Sequence, residues 1–184
     1  MGLALENLDT RTRDLMLAEV EVDITGDRLY TSTRFTPGGV AQYPDLLREA
    51  VRNGNDDSLA ASLWAAGAFA EHEVGRRGPK TFRKRVPTNA AQTFAESEFN
   101  RFYLRGLCLR ATAEGLPYVE VYRAKAVEDP RPESVAMVGM RLDPASLLAD
   151  LRANIGLDTA LGLPPGPNSG LSARIPKDHH ASEA

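Results

Sequence analysis

Residues 89–115 read NAAQTFAESEFNRFYLRGLCLRATAEG, and the rest of the architecture is arranged around this stretch. Thr88 or Asn89 supplies an N-terminal cap and Gly115 a stop, so the spacing predicts one long helix. At 100° per residue, Ala91, Ala95, Phe99, Phe102, Gly106 and Leu109 form one broad apolar face. Tyr103, Leu104, Leu107 and Cys108 spread apolar character to the other sides. Glu98, Arg101 and Arg105 share one narrow polar sector, and Glu96 and Asn100 share another. Such a helix is central, with charges in specific slots. Gly106 costs about 1 kcal/mol relative to alanine inside a helix. Close approach of another backbone would explain it.

Upstream, residues 17–24 alternate. Val20, Val22 and Ile24 interleave with Glu19, Glu21 and Asp23, the period of a strand with one apolar and one acidic face. A turn at Thr25-Gly26-Asp27 and renewed alternation to Phe35 predict a β-hairpin. A short helix is expected over residues 44–53 and a second, buried one over residues 58–73. Gly75, Gly78, Pro79 and Pro87 mark residues 75–87 as a loop. Downstream, residues 118–125 alternate as a strand and residues 134–142 are its expected partner. Asp143 and Pro144 open a helix to Asn154.

The order ββ, αα, loop, α, ββ, α predicts an α+β domain over residues 1–160, with antiparallel hairpins packed on the central helix. Residues 161–184 include Leu-Pro-Pro-Gly-Pro-Asn-Ser-Gly, which cannot enter a helix or a central strand. They form an extended or disordered Pro/Gly-rich tail. If extended, the tail docks on a neighbouring subunit through Leu161, Leu163, Leu171 and Ile175.

Composition excludes several classes. Net charge is −3, which argues against a wholly basic coat protein or a highly charged disordered chain. Cys108 stands alone, so neither an internal disulfide nor a four-cysteine zinc site is available. No apolar run approaches a membrane span and the first residues are no secretory signal, so a cytoplasmic location is expected. No phosphate-binding glycine loop and no Ser-His-Asp order is present. His72, between Glu71 and Glu73, lacks a second histidine at helical spacing, and His179 and His180 fall in the tail.

Charge is unevenly spread. Residues 1–27 carry seven acids against Arg11 and Arg13, whereas residues 76–85 carry Arg76, Arg77, Lys80, Arg83, Lys84 and Arg85 with no acid. Six positive groups on one segment can neutralise several phosphates, and Phe82 can stack on a base. The preceding helices suggest a helix-turn-helix with a basic wing. A recognition helix must offer polar side chains to base edges, and residues 58–70 offer Leu, Ala, Trp and Phe instead.

Two other clusters bear chemistry. Glu98, Arg101 and Arg105 would floor a pocket for a carboxylate or phosphate, or form a buried network clamping helix to sheet. Glu19, Glu21 and Asp23 on one strand face would hold a divalent metal, as nucleases require, or form a solvent-facing strand edge. Glu120 with Lys125 weakly echoes the nuclease theme, and Glu96 with Glu98 offers a second carboxylate pair.

The reading that follows is a non-catalytic binding or assembly protein with no cofactor. Its basic loop meets nucleic acid or an acidic protein surface, and its arm docks within a homo-oligomer or larger complex. The alternative is a metal-dependent hydrolase or nuclease using clustered carboxylates.

Overall fold

The computed structural model describes residues 2–78, 80–156 and 170–177. At its centre is the expected long helix, α4 in chain order. Three helices precede it: α1 (Thr10–Thr25), α2 (Pro37–Asn53) and α3 (Asp56–Ala65). Strands β1 (His72–Arg77) and β2 (Lys80–Arg85) then lead into α4 (Ala90–Ala113). After α4 come β3 (Val119–Arg123), α5 (Pro132–Met137), β4 (Arg141–Leu142), α6 (Pro144–Ala153) and β5 (Leu171–Arg174). The class is mixed α+β, with small antiparallel sheets and a long helix as its organising element. Helices α1, α3 and α6 and strand β5 all pack on α4.

The first expected hairpin does not form. Residues 17–24 lie inside α1, capped by Asp9, whose carboxylate accepts the Thr12 N–H at 3.1 Å. Thr12, Met16, Glu19, Val20 and Asp23 are the buried positions, a helical spacing, while Val22 is left 46% exposed. The alternation was real, but two of its three acidic residues, Glu19 and Asp23, face inward to meet arginines. Beyond α1, Phe35 contributes only an isolated bridge to Phe69.

Helix α2 begins at Pro37, earlier than residue 44, because Thr36 caps it by accepting the Gly39 N–H at 3.0 Å. Pro44 is accommodated inside the helix. Helix α3 starts with a capping box between Asn55 and Ser58 and stops at Ala65, well short of residue 73. Gly67 then turns the chain with φ +59°. Leu59, Ala60 and Leu63 are buried, but Trp64 is 68% exposed, so this helix covers the core on one side only.

The sheets also stay separate. Strands β1 and β2 form a two-stranded antiparallel ribbon, whereas the second sheet has the order β4-β3-β5. The expected strand over 134–142 shrinks to β4, and α5 occupies its first half. Strand β5 comes from the segment expected as a tail. It is extended, but it pairs antiparallel with β3 of its own chain, Val121 opposite Ala173. Leu171 and Ile175 are buried in the same core cluster as Met16, Leu47 and Phe99. Leu161, Leu163, His179 and His180 lie outside the described residues. Among the described residues no helix is long and apolar enough to cross a membrane.

Candidate nucleic-acid interface

The basic segment is not a loop. Residues 72–85 form the β1–β2 ribbon, with Arg77 paired to Lys80 across a two-residue connection that starts at Gly78 with φ +60°. Gly78 is what permits this reversal, since side chains disfavour that φ. At about 3.3 Å per residue, six-residue strands give an arm roughly 20 Å long. Every residue of β2 is exposed.

Cross-strand register sorts the side chains. Residues directly opposite share a face, and neighbours alternate. One face carries His72, Val74 and Arg76 with Thr81, Arg83 and Arg85. The other carries Glu73, Gly75 and Arg77 with Lys80, Phe82 and Lys84. Phe82 folds over Gly75 so closely that a Cβ there would stand 2.7 Å from the Phe82 Cζ. Gly75 is thereby buried, and Phe82 remains 48% exposed with its outer side open.

The ribbon divides electrostatically. At its base, Glu73 accepts from Arg34 Nε at 2.7 Å and pairs with Lys84 Nζ at 3.1 Å. Hydrogen bonds from Arg34, then from Lys84, hold the Glu73 carboxyl below its usual range. Arg85 reaches Glu71 at 4.0 Å. So Lys84 and Arg85 turn back to carboxylates of the same arm. Arg76, Arg77 and Lys80 make no ion pair among the described residues, and the one polar side-chain contact of Arg83 is His72 Nδ1 at 3.5 Å. Four cations are therefore free of carboxylates among the described residues, two on each face: Arg76, Arg77 and Lys80 in the distal half, and Arg83 opposite Val74 just below it.

The second cluster is split in two. Arg105, fully buried, donates from Nε to Glu19 Oε2 at 2.7 Å and from Nη1 to Asp23 Oδ2 at 2.5 Å. Arg152 of α6 closes the network on Glu19 at 2.5 Å. Burial pushes the Glu19 carboxyl up, but hydrogen bonds and charge from Arg152 and Arg105 outweigh it and hold it below the usual range. The network joins α4 to α1 and α6, helix to helix rather than helix to sheet. Arg105 is thus occupied by its own chain's carboxylates. Glu98 pairs separately with Arg101 at 2.8 Å through Oε1, while its Oε2 is buried with no hydrogen-bond partner among the described residues. Burial, only partly opposed by Arg101, raises the Glu98 carboxyl to about 7.

The carboxylate triplet does not gather. Glu19 and Asp23 converge on Arg105, whereas Glu21 points elsewhere and accepts from Arg48 Nε at 2.7 Å. Glu120 accepts from Arg174, and Lys125 pairs with Glu96 instead. Among the described residues no group of three or more His, Cys, Asp or Glu side chains is arranged to hold a metal.

Sequence reasoning missed Arg34, Glu71 and Glu73, which divide the ribbon into a neutralised base and a cationic tip. The signal was present: Glu73 and Lys84 are equally far from the Gly78-Pro79 pair. Arg152 carried no such signal, since its role depends on how α6 packs against α1. No known protein family, curated protein or solved structure matches this chain.

Proposed function

We propose that this chain is a non-catalytic nucleic-acid-binding protein that presents the β1–β2 ribbon to phosphates. The observation that carries this reading is the quartet Arg76, Arg77, Lys80 and Arg83, exposed and without a carboxylate partner among the described residues. A solvated structural ribbon gains nothing from concentrating like charge. Arg77 and Lys80 stand directly opposite each other, an arrangement that destabilises a strand pair unless an anion neutralises it. Nucleic acid offers the densest regular array of such anions. Phe82, its outer side open, can add an apolar contact to a base or sugar.

The same reading has the protein work in the cytoplasm, as a multimer or within a larger complex. Cys108, buried and free, accords with a reducing compartment. The alternative of a carboxylate-based hydrolase finds no support in the placement of Glu19, Glu21 and Asp23.

Binding of labelled nucleic acid as a function of salt tests the proposal. The affinity should fall steeply with salt, and replacing the quartet by alanine should flatten that dependence by about four contacts' worth. Replacing Lys84 and Arg85, already paired, should change it far less. Binding that ignores salt, or a quartet variant that binds like the wild type, rejects the proposal. Native mass spectrometry of protein from its own cells reads copy number and any bound nucleic acid together.

A further inference from the structure

We infer that the ribbon enters the major groove of B-form duplex DNA, between two phosphate walls, rather than lying on one anionic surface. The inference rests on the nucleic-acid reading and narrows it to one ligand form.

The argument is the two-sidedness of the charge. Arg76 and Arg83 project from one face, Arg77 and Lys80 from the other. A flat acidic surface, or a single strand laid along the arm, can engage one face and leaves the opposite pair in solvent. A groove has phosphates on both sides. A strand pair with its side chains is about 10 Å thick, and the major groove of B-DNA is about 12 Å wide and admits such a ribbon. The corresponding groove of an RNA duplex is too narrow. The arm's length of roughly 20 Å spans a little over half a helical turn. Its base is fixed to the body by Arg34 on Glu73 and by the Ala70 N–H to the Arg34 carbonyl at 2.8 Å. Cationic side chains therefore start where the arm leaves its support.

Single-strand platforms instead rely on several open aromatic faces. Here the one aromatic residue of the ribbon, Phe82, already spends one side on Gly75.

The test uses the full chain and fluorescence anisotropy with a short DNA duplex, the matching RNA duplex, one DNA strand and polyglutamate. Two double variants divide the faces: R76A/R83A and R77A/K80A. Both lie on exposed positions, and circular dichroism checks that they fold. Each should lose about tenfold to a hundredfold in affinity for the DNA duplex and lower its salt slope by about two. A compound that fills the minor groove should leave binding unchanged. If only one double variant matters, or if the RNA duplex or single strand binds as tightly, groove insertion is wrong while the nucleic-acid reading stands. Displacement by the minor-groove compound has the same meaning. Preference for polyglutamate, or binding to none of the four, overturns both.

Discussion

Gly106 of α4 rests on the backbone of α1 at Met16. A Cβ at Gly106 would stand 2.9 Å from the Met16 nitrogen, 3.0 Å from the Thr12 carbonyl oxygen and 2.8 Å from Met16 Cγ. The two helices touch through main chain here, and that contact lets Arg105, one residue earlier, reach Glu19 and Asp23. Gly106→Ala therefore pits two effects against each other. Alanine gains about 1 kcal/mol in helix propensity, whereas forcing two backbones apart costs roughly 1–3 kcal/mol or more. Because two of the three nearest atoms are backbone, the clash should win. The variant is expected to unfold at lower denaturant concentration, with an unchanged m-value. A midpoint equal to or above the wild type would show that α1 and α4 separate freely.

How much of this was legible follows from where the determinants lie. Helix α4 announces itself because apolar residues surround it for 24 residues and Gly115 ends it. Gly106 even signalled a close backbone contact. Helix α1 was hidden because the rule that acidic residues face water fails at Glu19 and Asp23, which are buried by partners 82 and more residues away. A pattern reading cannot see such partners. Thr12, Met16 and Val20, one turn apart behind the Asp9 cap, were the competing signal. The ribbon's cations were legible, but their division into paired and free depended on cross-strand register. Strand β5 was obscured by the prolines before it, which disguised four residues that a distant strand completes.

Glu98 makes stability depend on pH in an unusual direction. Its carboxyl is buried on α4, facing Tyr43 from α2, Asp23 from α1 and Arg101 and Arg105 from α4. Burial lifts its pKa from an ordinary 4.5 to about 7. Between these values the folded chain keeps a proton that the unfolded chain has released. Raising the pH through that window therefore favours unfolding, and the full cost, about 3 kcal/mol, is reached above pH ~7. Glu98→Gln keeps an acceptor for Arg101 and cannot ionise. Its stability relative to wild type should rise by about 3 kcal/mol between pH ~5 and pH ~8. Comparing the two proteins cancels Glu19, Glu21 and Asp9, whose lowered values make stability fall only in acid. A difference that stays constant across this range would mean that Glu98 is ionised throughout.

Ending the chain after residue 169 tests whether β5 belongs to the fold or serves only to reach a neighbour. Leu171 and Ile175 are buried, each worth about 1.5–3 kcal/mol in apolar burial. Tyr103 donates its hydroxyl to the Ala173 carbonyl at 3.1 Å, and Asn100 donates to the Leu171 carbonyl at 2.9 Å. The Ile175 N–H donates to Asn7 Oδ1 at 2.9 Å. Truncation strips the acceptor from the buried Tyr103 hydroxyl, at about 1–3 kcal/mol if it stays unsatisfied, and one hydrogen bond from the half-buried Asn100, at about 0.5–1.5 kcal/mol. These losses together rival the about 5–15 kcal/mol that holds a domain folded. The shortened chain should melt at much lower temperature or fail to fold, and Leu171→Ala alone should cost about 2–5 kcal/mol. A peptide covering residues 170–177, added in trans, should restore part of the loss. A truncated chain that melts like the full one but changes its copy number would assign this segment to a partner instead.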